Sequence, residues 1–237
     1  MLRALVFDFD GLIFDTESAC FTAWQQLFAD HGSTLSLSEW IDAIGRAPGD
    51  HDPTRLLAAK LGRQLDSKRL RREQQRRERR LLLRQPACPG ARELIRDAQS
   101  AGLRLAVASS SEIAWVRRYL RQLGLRRSFE TLACASATLR AKPNPDVYLA
   151  ALAALRVPAR AAVALEDSVH GVCAANAAGI LCVAVPNPLL REFDFSDAAL
   201  RVGSLTELSI PRLASLVAPG KDASPPGGDA GGPPSAG

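Results

Sequence analysis

Two aspartates separated by one residue close the first apolar run of the chain, Leu5-Val6-Phe7-Asp8-Phe9-Asp10-Gly11. An apolar strand that stops in acids and a glycine reads as a buried parallel strand delivering carboxylates to a crevice. Side chains alternate along a strand, so Asp8 and Asp10 lean to one side if the extended conformation runs past Phe9. Gly11 then allows a turn that brings backbone N–H groups near an anion. Two ionised carboxylates this close need a cation between them or a shared proton. Mg²⁺, a hard ion that takes one or two carboxylates plus substrate phosphate, answers that need. A surface turn with two solvated aspartates would have the same residues, although Phe7 and Phe9 argue for burial.

Three further stretches carry polar residues where apolar strands end. Ser109-Ser110-Ser111 follows Leu103–Ala108, offering hydroxyls and free N–H groups at the start of a helix, as a phosphate seat or as plain N-caps. Lys142 stands in Ala141-Lys142-Pro143-Asn144-Pro145. There a stiffened turn can present its ammonium to a phosphoryl oxygen or a carboxylate nucleophile, unless it is an ordinary surface lysine. Glu166-Asp167-Ser168 follows Val163-Ala164-Leu165 and again suits a cation, with Ser168 capping the next helix.

These ends need elements to hold them. After Asp15 the pattern turns helical: Asp15 or Thr16 caps a helix through Phe21, Trp24, Leu27 and Phe28, closed by His31-Gly32. Ser36–Ile44, Thr54–Leu61 and Ser67–Leu83 read as further helices around a breaker-rich loop from Gly45 to Pro53. No strand separates them, so about Asp15 to Gln85 reads as a helical insertion. From Pro89 onward helices and strands alternate, with Asn144-Pro145 opening one helix as cap and first position. That alternation implies a parallel sheet flanked by helices, which the first strand must join. Beyond about Ala218 the Pro- and Gly-rich sequence has too little apolar area to offset its ordering entropy and reads as a disordered tail.

A chain of 237 residues can bury a full core, and 47% apolar with 23% charged residues is the balance of a soluble globular protein. Much of the +5 net charge comes from Lys68 to Arg80. The interleaved Glu and Gln there make a helix with a solvated basic face, and without aromatic residues it offers no stacking platform for nucleic acid. Five cysteines without pairing or metal-ligand spacing read as reduced, mostly buried thiols. The absence of a leader or a bilayer-length apolar stretch leads us to expect a cytoplasmic protein with no membrane or nucleic-acid partner.

In order and approximate spacing, Asp8-Phe9-Asp10-Gly11, Ser109, Lys142-Pro143 and Glu166-Asp167-Ser168 resemble the four motifs of the haloacid dehalogenase superfamily. Leu103–Ser111 and Ala141–Gly179 resemble its β-phosphoglucomutase and phosphoglycolate phosphatase branch, and the match covers Leu2 to about Leu208. The resemblance implies an α/β fold: a Rossmann-like core of residues 1–14 and 86–217, an inserted all-α cap of residues 15–85, and a tail of residues 218–237. It implies that Asp8 is a nucleophile forming an aspartyl-phosphate and that Asp10 is the general acid and base. Ser109, Ser110 and Lys142 would bind phosphoryl oxygens. Asp8, the Asp10 carbonyl, Asp167 and Glu166 would hold Mg²⁺.

Asp10 and the Glu166-Asp167 pair favour phosphoryl over dehalogenase chemistry. Mutases of this branch carry a histidine on the first cap helix. In register that position is Cys20, which favours a phosphatase acting on a small, sugar phosphate-like metabolite over a mutase. His31, His51 and His170 are expected to lie elsewhere. A non-catalytic binder using the basic helix is the third reading, and intact catalytic positions speak against it. Substrate choice is expected from the cap, with Arg46 and its neighbours Gly45 and Pro48 as contacts. Oligomeric state has no sequence signature here.

Overall fold

The computed structural model describes residues 1–44 and 52–217. Six parallel strands form one sheet: β1 (Ala4–Phe7), β2 (Arg104–Ser109), β3 (Thr131–Cys134), β4 (Ala162–Glu166), β5 (Leu181–Ala184) and β6 (Leu200–Arg201), in the order β3-β2-β1-β4-β5-β6. The order reverses direction between β1 and β4, and at such a switch point the strand ends open a crevice. β1 and β4 are fully buried apolar runs up to the acids, as strands covered on both faces must be.

Helices α1 (Thr16–Asp30), α2 (Leu37–Ile44), α3 (Pro53–Leu61) and α4 (Ser67–Leu82) fall between β1 and β2. They are followed by α5 (Ala91–Ser100), α6 (Ile113–Gln122), α7 (Asp146–Leu155), α8 (Val169–Ala177) and α9 (Ile210–Leu216). The first four share an apolar cluster of their own, with Phe21, Trp24, Leu27, Phe28, Leu35, Trp40, Leu57 and Leu70 buried together. Two other clusters cover the sheet's faces. Leu5, Phe7, Val107 and Leu165 point one way, and Val6, Ala106, Ala108 and Ala164 the other. The alternation follows from the period of two along each strand.

α4 shows its sequence logic plainly. Leu70, Gln74 and Leu82 are buried along one face while Lys68, Arg69, Arg71, Arg72, Arg76, Arg79 and Arg80 are exposed, so the basic face is solvated as expected. No helix among the described residues is long and apolar enough to cross a membrane.

Local differences from the sequence reading have local causes. Asp15 caps α1, accepting the Ser18 N–H at 3.0 Å, while the Thr16 hydroxyl turns to Asp10. α7 starts at Asp146 after Pro145, and Asn144, the expected cap, donates its side-chain amide to the Ala141 carbonyl. Gly11 does take a positive φ of 81°, but its N–H donates to the Phe14 carbonyl at 2.8 Å, closing the turn on itself. It is not available to an anion. All five cysteines are free, with Cys134 and Cys182 buried and Cys20, Cys88 and Cys173 half-buried. Residues 45–51, and with them Arg46, Gly45, Pro48 and His51, lie outside the described residues, as does the tail from residue 218.

Candidate active site

The site forms where β1, β2 and β4 end side by side. Register pairs Phe7 with Val107 and with Leu165, so the residues that follow emerge at one level. The Asp8 N–H still donates to the Leu165 carbonyl at 2.9 Å, which fixes its side chain beside Glu166 and Asp167. One carboxylate oxygen from each of these three acids lies within 4.8 Å of the others. Asp8, Glu166 and Asp167 are all buried.

Lys142 is the counter-charge. Its Nζ donates to Asp8 Oδ1 and stands 2.6 Å from Glu166 Oε1, with the Lys142 side chain only 5% exposed. Burial alone would lower the lysine pKa, but Asp8 and Glu166 hold it above its ordinary value. Burial pushes the carboxyls of Asp8 and Asp167 well above their usual range, and the neighbouring acids add to it. One ammonium therefore faces three crowded carboxylates. A hard divalent cation fits the chemistry of this clustered, all-oxygen donor set. Glu166 is the most committed of the three: Tyr148 on α7 donates its hydroxyl to Oε1, the atom Lys142 also touches. Its carboxylate also leaves no room at Gly171 on α8, where an added Cβ would overlap it. An added Cβ on Gly11 would likewise strike the Asp167 carboxylate.

Asp10 sits apart from the acid cluster, in a cage of donors. Thr16 Oγ1 (3.0 Å) and Trp115 Nε1 (2.9 Å) donate to Oδ1, and Ser111 Oγ (2.7 Å) and Ser109 Oγ (3.3 Å) donate to Oδ2. Such a cage fixes the aim of its carboxyl group. Ser109, buried at the end of β2, also accepts the Ser111 N–H at 3.0 Å. Ser110 is exposed and its hydroxyl accepts the Lys142 N–H at 3.2 Å, tying the two loops together.

All of the sequence-predicted core residues except Glu166 line one cavity of about 500 Å³: Asp8, Asp10, Ser109, Ser110, Lys142 and Asp167. Glu166 lies behind Lys142. α1 and α4 line it as well, through Thr16, Glu17, Cys20 and Glu78. His170, expected elsewhere, lines the cavity from the first turn of α8; His31 is away from it, its Nδ1 2.9 Å from the Leu27 carbonyl. Sequence reasoning missed Thr16, Ser111 and Trp115 as partners of Asp10, and Tyr148 as the partner of Glu166. Trp115 and Tyr148 sit at helix positions whose spacing looks like core packing, so only contact reveals them.

Residues 2–179 match the family model for haloacid dehalogenase-like hydrolases. YhcW of Bacillus subtilis is 38% identical over 213 residues, covering 90% of this chain and 96% of its own length. Hexitol phosphatase B of Escherichia coli is 38% identical over 125 residues, 52% of this chain and 56% of its length. A D10N variant of CbbY from Rhodobacter sphaeroides, crystallised with xylulose-1,5-bisphosphate, superposes with a TM-score of 0.70 at 31% identity, covering 88% of this chain and 96% of that one.

Proposed function

This chain belongs to the haloacid dehalogenase-like hydrolases, and from that premise we propose that it is a Mg²⁺-dependent phosphatase for a small, sugar phosphate-like metabolite. The observation that carries the reading is the convergence on one cavity of a lysine-paired Asp8 and a separately caged Asp10. Two carboxyl groups in such different surroundings suit two different tasks. Asp8 attacks phosphorus and carries the phosphoryl group as an aspartyl-phosphate. Asp10, aimed by its four donors, gives a proton to the leaving alcohol and then takes one from the attacking water. Lys142, Ser109 and Ser110 hold the phosphoryl oxygens, with Lys142 kept in place by Glu166 and Tyr148. The ion would be held by Asp8, Asp167 and the Asp10 carbonyl, with Glu166 beside them, and when bound it neutralises phosphoryl charge and aligns the group for in-line attack.

Residues 15–85 act in this reading as a helical cap over the core. Two relatives support the substrate class: one is a hexitol phosphatase, and a CbbY variant was crystallised with xylulose-1,5-bisphosphate. Cys20 half-buried in the cavity wall leaves water free to accept the phosphoryl group, which favours hydrolysis over internal transfer. Phosphate release from a panel of sugar, polyol and carboxylic acid phosphates, with Mg²⁺ and with a chelator, tests the proposal. Metal-dependent release from at least one ester is expected; none from any would overturn it.

A further inference from the structure

The part of the cavity lined by α1 and α4 has a charge that the composition of α4 does not suggest. α4 carries eight Lys and Arg residues, yet the residue it presents to the cavity is Glu78. The buried Gln74, one turn earlier, donates its amide to Glu78 Oε2 at 2.9 Å and reaches the Cys20 sulfur at 3.4 Å, so the carboxylate is braced across the α1–α4 contact. From α1, Glu17 lines the same wall. Among the described residues lining the cavity, Lys142 is the only lysine or arginine, and Asp8 and Glu166 already occupy it.

A substrate whose phosphoryl group lies against Asp8 extends its alcohol past Asp10 toward this wall. We infer that Glu78, braced by Gln74, and Glu17 are specificity-determining residues that select phosphate monoesters of uncharged, hydroxyl-rich alcohols over bisphosphates and phosphorylated carboxylic acids. The inference rests on the phosphatase reading above. A second anionic group would meet two carboxylates and no free ammonium or guanidinium among the described lining residues, whereas hydroxyls can donate to both. Burial, with Asp10 and Glu78 nearby, raises Glu17 to about 7, and burial raises Glu78 despite its hydrogen bond from Gln74. In either protonation state a carboxyl bonds a hydroxyl and has no charge to offer an anion.

The test is the ratio of kcat/KM for fructose 1,6-bisphosphate, and for phosphoglycolate, to that for sorbitol 6-phosphate, with p-nitrophenyl phosphate as a reference ester. The wild type is expected to favour the sorbitol ester. Glu78→Gln should raise both ratios by up to roughly tenfold, the scale for a unit charge removed several ångströms from an anion; Glu17→Gln, which removes only part of a charge near neutral pH, should raise them by less. Glu78→Lys should raise them further, an ordering by charge that mere damage to packing would not produce. A wild type that prefers the doubly anionic esters, or ratios unmoved by the three variants, would overturn the inference while leaving the phosphatase reading intact. No turnover of any ester, p-nitrophenyl phosphate included, would overturn the phosphatase reading and the selectivity with it.

Discussion

Replacing Lys142 by Met leaves the buried acids without the ammonium that pairs with Asp8 and Glu166. The structure sets the size of the effect. Nζ is 2.6 Å from Glu166 and bonded to Asp8, all three side chains are buried, and Asp167 lies in the same cluster. Removing one partner of a buried ion pair costs about 3–5 kcal/mol, because the remaining charge keeps its desolvation and loses its compensation. In a chain of this size each kcal/mol moves Tm by about 2–4 °C, so the variant should melt roughly 6–20 °C below the wild type. The assay is thermal unfolding in a chelator, where no added cation can stand in for the lysine. Adding Mg²⁺ should then raise the variant's Tm, since a cation bound only by the folded state stabilises it. A fall of less than about 2 °C in chelator would refute the reasoning, since it would mean the acids are individually solvated rather than coupled through Lys142.

Other changes probe single contacts. Trp115→Phe keeps the edge-on packing against Tyr119 and deletes one of four donors to Asp10; kcat should fall by about tenfold with KM unchanged, as for one hydrogen bond to a charged group, and an unaltered kcat would remove Trp115 from the site's support. Gly171→Ala drives a methyl into the Glu166 carboxylate, so the denaturation midpoint should drop by an amount equivalent to about 1–3 kcal/mol and activity should fall with it; a wild-type midpoint would show that α8 can move away. Lys60 and the Ser36 hydrogen bonds hold the Glu39 carboxyl down at about 2. A depressed carboxyl contributes stability above its ordinary pKa and loses it as pH falls through the folded value. Glu39→Gln should therefore cost at most about 1 kcal/mol at neutral pH, because the pair is partly exposed, and the deficit should close as unfolding is followed down toward pH 2.

The chemistry-bearing strand ends were legible because burial forbids unpaired acids within apolar runs, so Asp8, Glu166 and Asp167 could stand only where a strand opens onto something. The parallel alternation then put those ends at one edge of a single sheet, whereas the placement of β1 between β2 and β4 has no signal in the pattern and is seen only in the structure. The supports were not legible. Tyr148 falls on the buried face of α7, where its periodicity is that of Val147, Ala151 and Leu155, and nothing local shows that its hydroxyl meets an acid 18 residues away. Glu78 was hidden in the reverse sense: a helix rich in arginine draws attention to its basic face, while the 3.6-residue period turns Gln74 and Glu78 inward. The two-residue β6 carries too short a pattern to be read before its pairing with β5 is known.

The most direct test of the central claim is whether Asp8 carries the phosphoryl group. Wild-type protein turning over p-nitrophenyl phosphate with Mg²⁺, quenched in acid and digested, should yield the peptide containing Asp8 with the added mass of one phosphoryl group, and Asp8→Asn should yield neither the adduct nor turnover. Turnover that persists in Asp8→Asn, or an adduct found on any other residue, would contradict the account.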